Sequence, residues 1–178
     1  VFNVLQSMVL LSMVDELSGL DDWIVHTARQ LPERVMQHHT VIMFGLHYAV
    51  VPKRSFNSFQ TYLEHLRTVD ANIGREQLLD MYLSIPAHAD APEALTDPSK
   101  EEILANVETF LAFLYSRFDA ELVDEDIERK AFELLNDPEQ MKDEIVEHLG
   151  KIWDEYFEEE FERRRPLIEE TVKAFNEF

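Results

Sequence analysis

Seven histidines are the first residues in this chain whose chemistry asks for a test. An imidazole can bind a transition metal or move a proton near neutral pH. His38, His39 and His47 fall in or beside one helical pattern. Metal-binding pairs on a helix sit three or four residues apart, as in His-Glu-x-x-His. His39 and His47 stand two turns apart and about 80° around the axis, too far to share an ion. Their spacing favours core or groove histidines with hydrogen-bonded rings. His88-Ala-Asp90 offers two more polar groups, but in a proline-rich stretch where both can face solvent.

The other reactive residue types fare no better. Of the 36 acids, 24 follow residue 98, so carboxylate pairs are common there and no single pair marks acid–base catalysis. Most fall on solvent faces of helical patterns. Ser7, Ser12 and Ser18 lie in a helical pattern without an identifiable base. There is no phosphate-cradling glycine loop and no Gly-x-Ser-x-Gly. The absence of cysteine removes thiolate metal sites, disulfides and a thiol nucleophile. The expectation is a protein that is not an enzyme, with no catalytic residue, no metal site and no cofactor. The aromatic residues are numerous enough to line a ligand pocket, although a helical core of this size needs them too. His39, His47, Tyr48, Trp153 and Phe157 are the candidates for such a pocket.

Charge narrows the partners. The net charge is −20 over 178 residues. Phosphate backbones are held by clustered Lys and Arg, and Arg163–Arg165 is a short cluster beside its own acids. No direct nucleic-acid contact by this chain is expected. No apolar run reaches the length of a membrane span, and no basic leader opens the sequence. With no cysteine, these features fit a cytoplasmic protein.

The elements that must position these residues read as helices throughout. Residues 1–18 carry Val4, Leu5, Met8, Leu11, Val14 and Leu17 at helical spacing, with Gly19 as a stop. Asp21 and Asp22 open a second helix through Arg29. Pro32 suits the first turn of a third, in which Val35, His39, Ile42, Leu46 and Val50 share a face. The run from Val41 is apolar all round, which reads as a central buried helix, with a strand at Val41–Val51 as the competing reading. Ser55 is the expected cap of a helix carrying Phe59, Tyr62, Leu63 and Leu66, and Arg75–Ile85 the next helix. Pro86–Pro98 is a loop and a possible division of the chain.

Ser99-Lys-Glu-Glu102 is a capping box that starts a helix to about Phe118. Asp124–Leu135 follows. Asp137-Pro138-Glu139-Gln140 starts another helix, to about Leu149, with Gly150 as its cap or a short break. In the last segment Trp153, Phe157 and Phe161 recur every four residues. Glu159 with Arg163 and Glu160 with Arg164 are i,i+4 pairs of about 0.2–0.5 kcal/mol each. Pro166 costs roughly 3 kcal/mol inside a straight helix, so a kink or break is expected there. Ile168, Val172, Phe175 and Phe178 form a further stripe. The whole reads as one all-α domain, 1–178, of about eight or nine helices.

Two blocks carry a resemblance. One runs Phe2-Asn-Val-Leu-Gln-Ser-Met8, Ser18-Gly-Leu-Asp-Asp-Trp23, Pro52, Ser58-Phe59 and Tyr62-Leu63. The other runs Asp137-Pro138-Glu139, Ile152-Trp153-Asp-Glu-Tyr-Phe157, Glu160-Phe-Glu-Arg163 and Pro166. Together they resemble the helical effector or dimerisation domain that precedes the winged helix in long, two-domain ArsR-type bacterial transcriptional regulators. The resemblance implies a non-catalytic regulatory domain, a homodimer and a small-molecule effector. DNA would be reached only through a winged helix that this chain lacks. No functional residue is carried over, because the blocks are patterns of residue type. A small helical enzyme or metal-binding protein using His39, His47 and nearby acids is the alternative, and an acidic protein-interaction scaffold is another.

Overall fold

The computed structural model describes residues 1–166. Among them there are ten α-helices and no strand: α1 (Phe2–Leu11), α2 (Asp22–Gln30), α3 (Glu33–Thr40), α4 (His47–Val50), α5 (Phe59–Thr68), α6 (Ala71–Ser84), α7 (Lys100–Ile103), α8 (Val107–Tyr115), α9 (Glu125–Leu135) and α10 (Pro138–Ile152). The all-α reading is right, and the strand alternative at Val41–Val51 is wrong. That stretch is helical and buries Val41, Ile42, Met43, Leu46 and Val50.

Most helix starts follow from their caps. Asp21 accepts from the Trp23 amide, and Asp124 from the amides of Asp126 and Ile127. The capping box at Ser99 is closed in both directions, and Asp137 accepts from the Gln140 amide ahead of Pro138. Gly19 has φ 78°, a left-handed conformation that favours glycine, and so turns the chain between α1 and α2.

Several boundaries differ from the sequence expectation. The first helix stops at Leu11, and a looser turn follows. Ser58, not Ser55, caps α5, accepting from the Thr61 amide. Helix α6 begins at Ala71, where Asp70 is the cap. The helix expected from Ser99 to Phe118 is two helices, because Asn106 caps α8 by accepting from the Thr109 amide. Gly150 ends nothing. It lies buried within α10, which continues because Ile152, Trp153 and Phe157 beyond it are buried.

Two wide, π-helical turns interrupt the regular periodicity. At Val41–Gly45 the Leu46 amide reaches back five residues to the Val41 carbonyl, at 3.0 Å. At Trp153–Phe157 the Glu158 amide does the same to Trp153. In a regular α-helix each step of four residues drifts about 40° around the axis. The wider turn absorbs part of that drift, so Trp153 and Phe157 are both buried and Phe161 is half-buried. The helix then runs on to residue 166. The expected break after Pro166 and the stripe Ile168–Phe178 lie outside the described residues.

Helix α10 is central, packing against α5, α6 and α9, while α4 lies on α6 and α8 on α9. The turn at Val41–Gly45 rests on α9. A Cβ on Gly45 would stand 2.8 Å from the Ala131 Cβ and 3.3 Å from the Ile127 Cγ2, so the missing side chain sets this approach. Buried residues from Val4 to Phe157 form one hydrophobic cluster. The loop at 86–98 is tied to the end of α8, where the Ser116 carbonyl accepts from the His88 amide at 2.8 Å and Arg117 donates to the Thr96 carbonyl at 2.9 Å.

Candidate functional site

The histidines come together in a pattern that spacing along one helix does not reveal. His39, on α3, is fully buried, and its partner is His148 on α10 rather than His47. Nδ1 of His39 lies 2.8 Å from Nε2 of His148, and Nε2 of His39 lies 2.7 Å from the Met8 carbonyl oxygen on α1. The chain of bonds fixes the tautomers. A carbonyl only accepts, so His39 carries its proton on Nε2. A neutral His39 then presents a lone pair at Nδ1, and His148 donates to it from Nε2–H. The remaining nitrogen of His148, Nδ1, is therefore an acceptor, with no hydrogen-bond partner among the described residues. Burial disfavours the charged form of both rings and holds their pKa values below the usual histidine range; for His148 the neighbouring His39 adds to this.

His148 is 6% exposed and lines a groove of about 750 Å³ between α3, α9 and α10. His38 stands on the same wall, its ring edge-on to His148 with centroids 4.9 Å apart. Nε2 of His38 lies 3.3 Å from a carboxylate oxygen of Glu144. Glu144 and His148 are one turn apart on α10, so both face the groove. Val35, Val41 and Leu134 supply apolar wall. Arg34, Lys130 and Lys151 line it too, and none has an ion-pair partner among the described residues. Glu133 and Glu147 complete it, so the groove carries both signs of charge on a chain that is otherwise strongly acidic.

The residues singled out from sequence scatter. His39 is the buried support of the groove histidine and does not line the groove. His47 bonds the Met43 carbonyl at 3.1 Å and packs on Tyr48, which meets Tyr82. Trp153 stacks on Phe59 at 4.7 Å, and Phe157 meets Trp23 edge-on at 4.8 Å. These five do not form one pocket; Trp153 and Phe157 are core. His88 and Asp90 border a separate hollow of about 630 Å³ beside Tyr115 and Phe118. Among the described residues no three His, Asp or Glu side chains are placed to hold a metal ion.

What the sequence reading missed is His148. Met-Lys-Asp-Glu-Ile-Val-Glu-His has an i,i+4 Glu–His pair on the groove face, but its partners His38 and His39 are more than a hundred residues away. The arginine cluster holds a second surprise. Arg164 bonds Glu160, as expected, but also grips Asp21 in a two-pronged pair at 2.7 and 3.0 Å. Arg163 pairs with Glu160 rather than Glu159. Asp21, which also caps α2, is held at a pKa of about 2, chiefly by the hydrogen bond from Arg164.

Comparison with known proteins adds no relative: no family model, no curated protein and no solved structure matches this chain.

Proposed function

We propose that this chain is a non-catalytic regulatory domain that senses a small molecule and dimerises, of the kind found in ArsR-type bacterial transcriptional regulators. DNA binding would belong to a winged helix outside these residues. The observation that carries the sensing role is the groove between α3, α9 and α10. Its buried histidine is bonded through His39 to the backbone of α1. A ligand that bonded His148 would act on a connection joining three helices, and a ligand shifts a helical packing only through such differential contact. The wide turn at Val41–Gly45, next to the groove wall at Val41, adds a point where packing can readjust, since such turns recur at functional sites.

The class of regulator rests on the two sequence blocks, and the charge of −20 supports a domain that leaves DNA to another segment. Two measurements test the proposal. The gene's complete reading frame should encode a winged helix next to these residues, and residues 1–178 alone should sediment as a dimer. A reading frame without a DNA-binding segment, or tight sequence-specific DNA binding by this chain alone, would overturn it.

A further inference from the structure

The groove is more specific than a generic cleft, because three kinds of group stand in it in a definite arrangement. The first is the lone pair of His148 Nδ1. His148 is largely buried, its other nitrogen is committed to His39, and Nδ1 has no hydrogen-bond partner among the described residues. An occupant with an N–H or O–H donor can bond this lone pair in place of solvent. The second is the set of cations Arg34, Lys130 and Lys151, without ion-pair partners among the described residues. They call for an anionic group on the same occupant. A phosphate would suit the cations but would meet Glu144 and Glu147, which line the same groove. A carboxylate carries less charge, and an ammonium on the occupant would turn those two glutamates from repulsive to attractive. The third is the apolar wall of Val35, Val41 and Leu134, which can bury an aliphatic chain.

We infer that the groove binds a small aliphatic amino acid as its zwitterion. The ammonium donates to His148 Nδ1 and lies by Glu144 and Glu147, the carboxylate meets Arg34 and Lys151, and the side chain lies on Val35, Val41 and Leu134. This rests on the reading of the groove as the effector site and supplies its ligand class. The role of His39 is to position His148, keeping Nε2–H turned inward and Nδ1 toward the ligand.

The test uses L-leucine as probe, with leucinamide lacking the carboxylate and 4-methylpentanoate lacking the amine. Titration calorimetry on residues 1–178 should give leucine a Kd of about 1 mM or tighter, with each truncated probe weaker by about tenfold or more. In long-range ¹⁵N–¹H spectra, leucine should shift the His148 Nδ1 resonance while Nε2 keeps its proton. Lys151→Ala and Arg34→Ala alter exposed residues and should weaken leucine while leaving the fold intact. No binding of leucine up to about 10 mM, equal binding of all three probes, or an unmoved His148 resonance would overturn the inference. A leucine result of either sign is separate from the test of the regulator class, which turns on the reading frame.

Discussion

Glu128 offers a sharp test of how the interior of this molecule is arranged. It lies on α9, and its Oε2 is buried with no hydrogen-bond partner among the described residues. Burial raises its pKa from 4.5 to about 7, and the charge of Asp124 one turn earlier adds to the effect. The sign follows from proton binding. Between pH 4.5 and about 7 the folded protein holds a proton on Glu128 that the unfolded chain has released. Stability from this group is therefore greatest below 4.5 and falls as pH rises to about 7, staying low above it. The shift corresponds to at most about 3 kcal/mol, and solvent at the partly open edge of the side chain reduces this to about 1–2 kcal/mol. Glu128→Gln is neutral throughout. Its stability relative to the wild type should be near zero at about pH 4 and rise to about 1–2 kcal/mol in favour of the variant at about pH 8. Urea unfolding followed by circular dichroism at several pH values measures the difference. His39 and His148 oppose the trend, because their depressed pKa values make stability rise as pH climbs toward 6.5. Both proteins share that contribution, so it cancels. Parallel stability profiles, or a variant less stable at high pH, would refute the reasoning.

Other predictions concern packing and polar contacts. Gly45→Ala should cost about 1–3 kcal/mol in thermal unfolding, because its Cβ would meet the Ala131 Cβ at 2.8 Å, where neither backbone can easily retreat. Gly150→Ala should do the opposite and stabilise by about 0.5–1 kcal/mol, since the added methyl meets only Leu63 Cδ1 at 3.9 Å and alanine favours a helix interior. His39→Leu should cost about 2–4 kcal/mol in urea unfolding, by leaving both the Met8 carbonyl and the His148 Nε2–H unpaired in the interior. Asp21→Ala should cost about 1 kcal/mol through the lost cap of α2 and should leave Arg164 bonded to Glu160 alone, which faster exchange of its terminal guanidinium protons by NMR would report. The wild-type contact between Asp21 and Arg164 should survive down to about pH 3 and fail as pH falls through about 2, the depressed carboxyl value.

Several features of this protein follow from local chemistry alone. Capping residues such as Asp21, Ser99, Asp124 and Asp137 set helix starts because a side-chain oxygen and the amides it bonds are only two or three residues apart. Apolar periodicity separates core from surface for the same reason, and the low glycine content and −20 charge depend only on composition. Where local signals compete, tertiary packing decides. Gly150 is carried through α10 because buried residues on either side need that helix to continue, whereas Asn106 starts α8 by the same local capping chemistry within an apolar stripe. The wide turns at Val41–Gly45 and Trp153–Phe157 carry buried residues into the core, and no local signal in the sequence marks them. The groove belongs wholly to that level. His38 and His39 are neighbours in sequence, yet one lines the groove while the other is buried behind it. The nitrogen that His148 offers is defined only by a carbonyl on α1, through a hydrogen-bond chain spanning three helices.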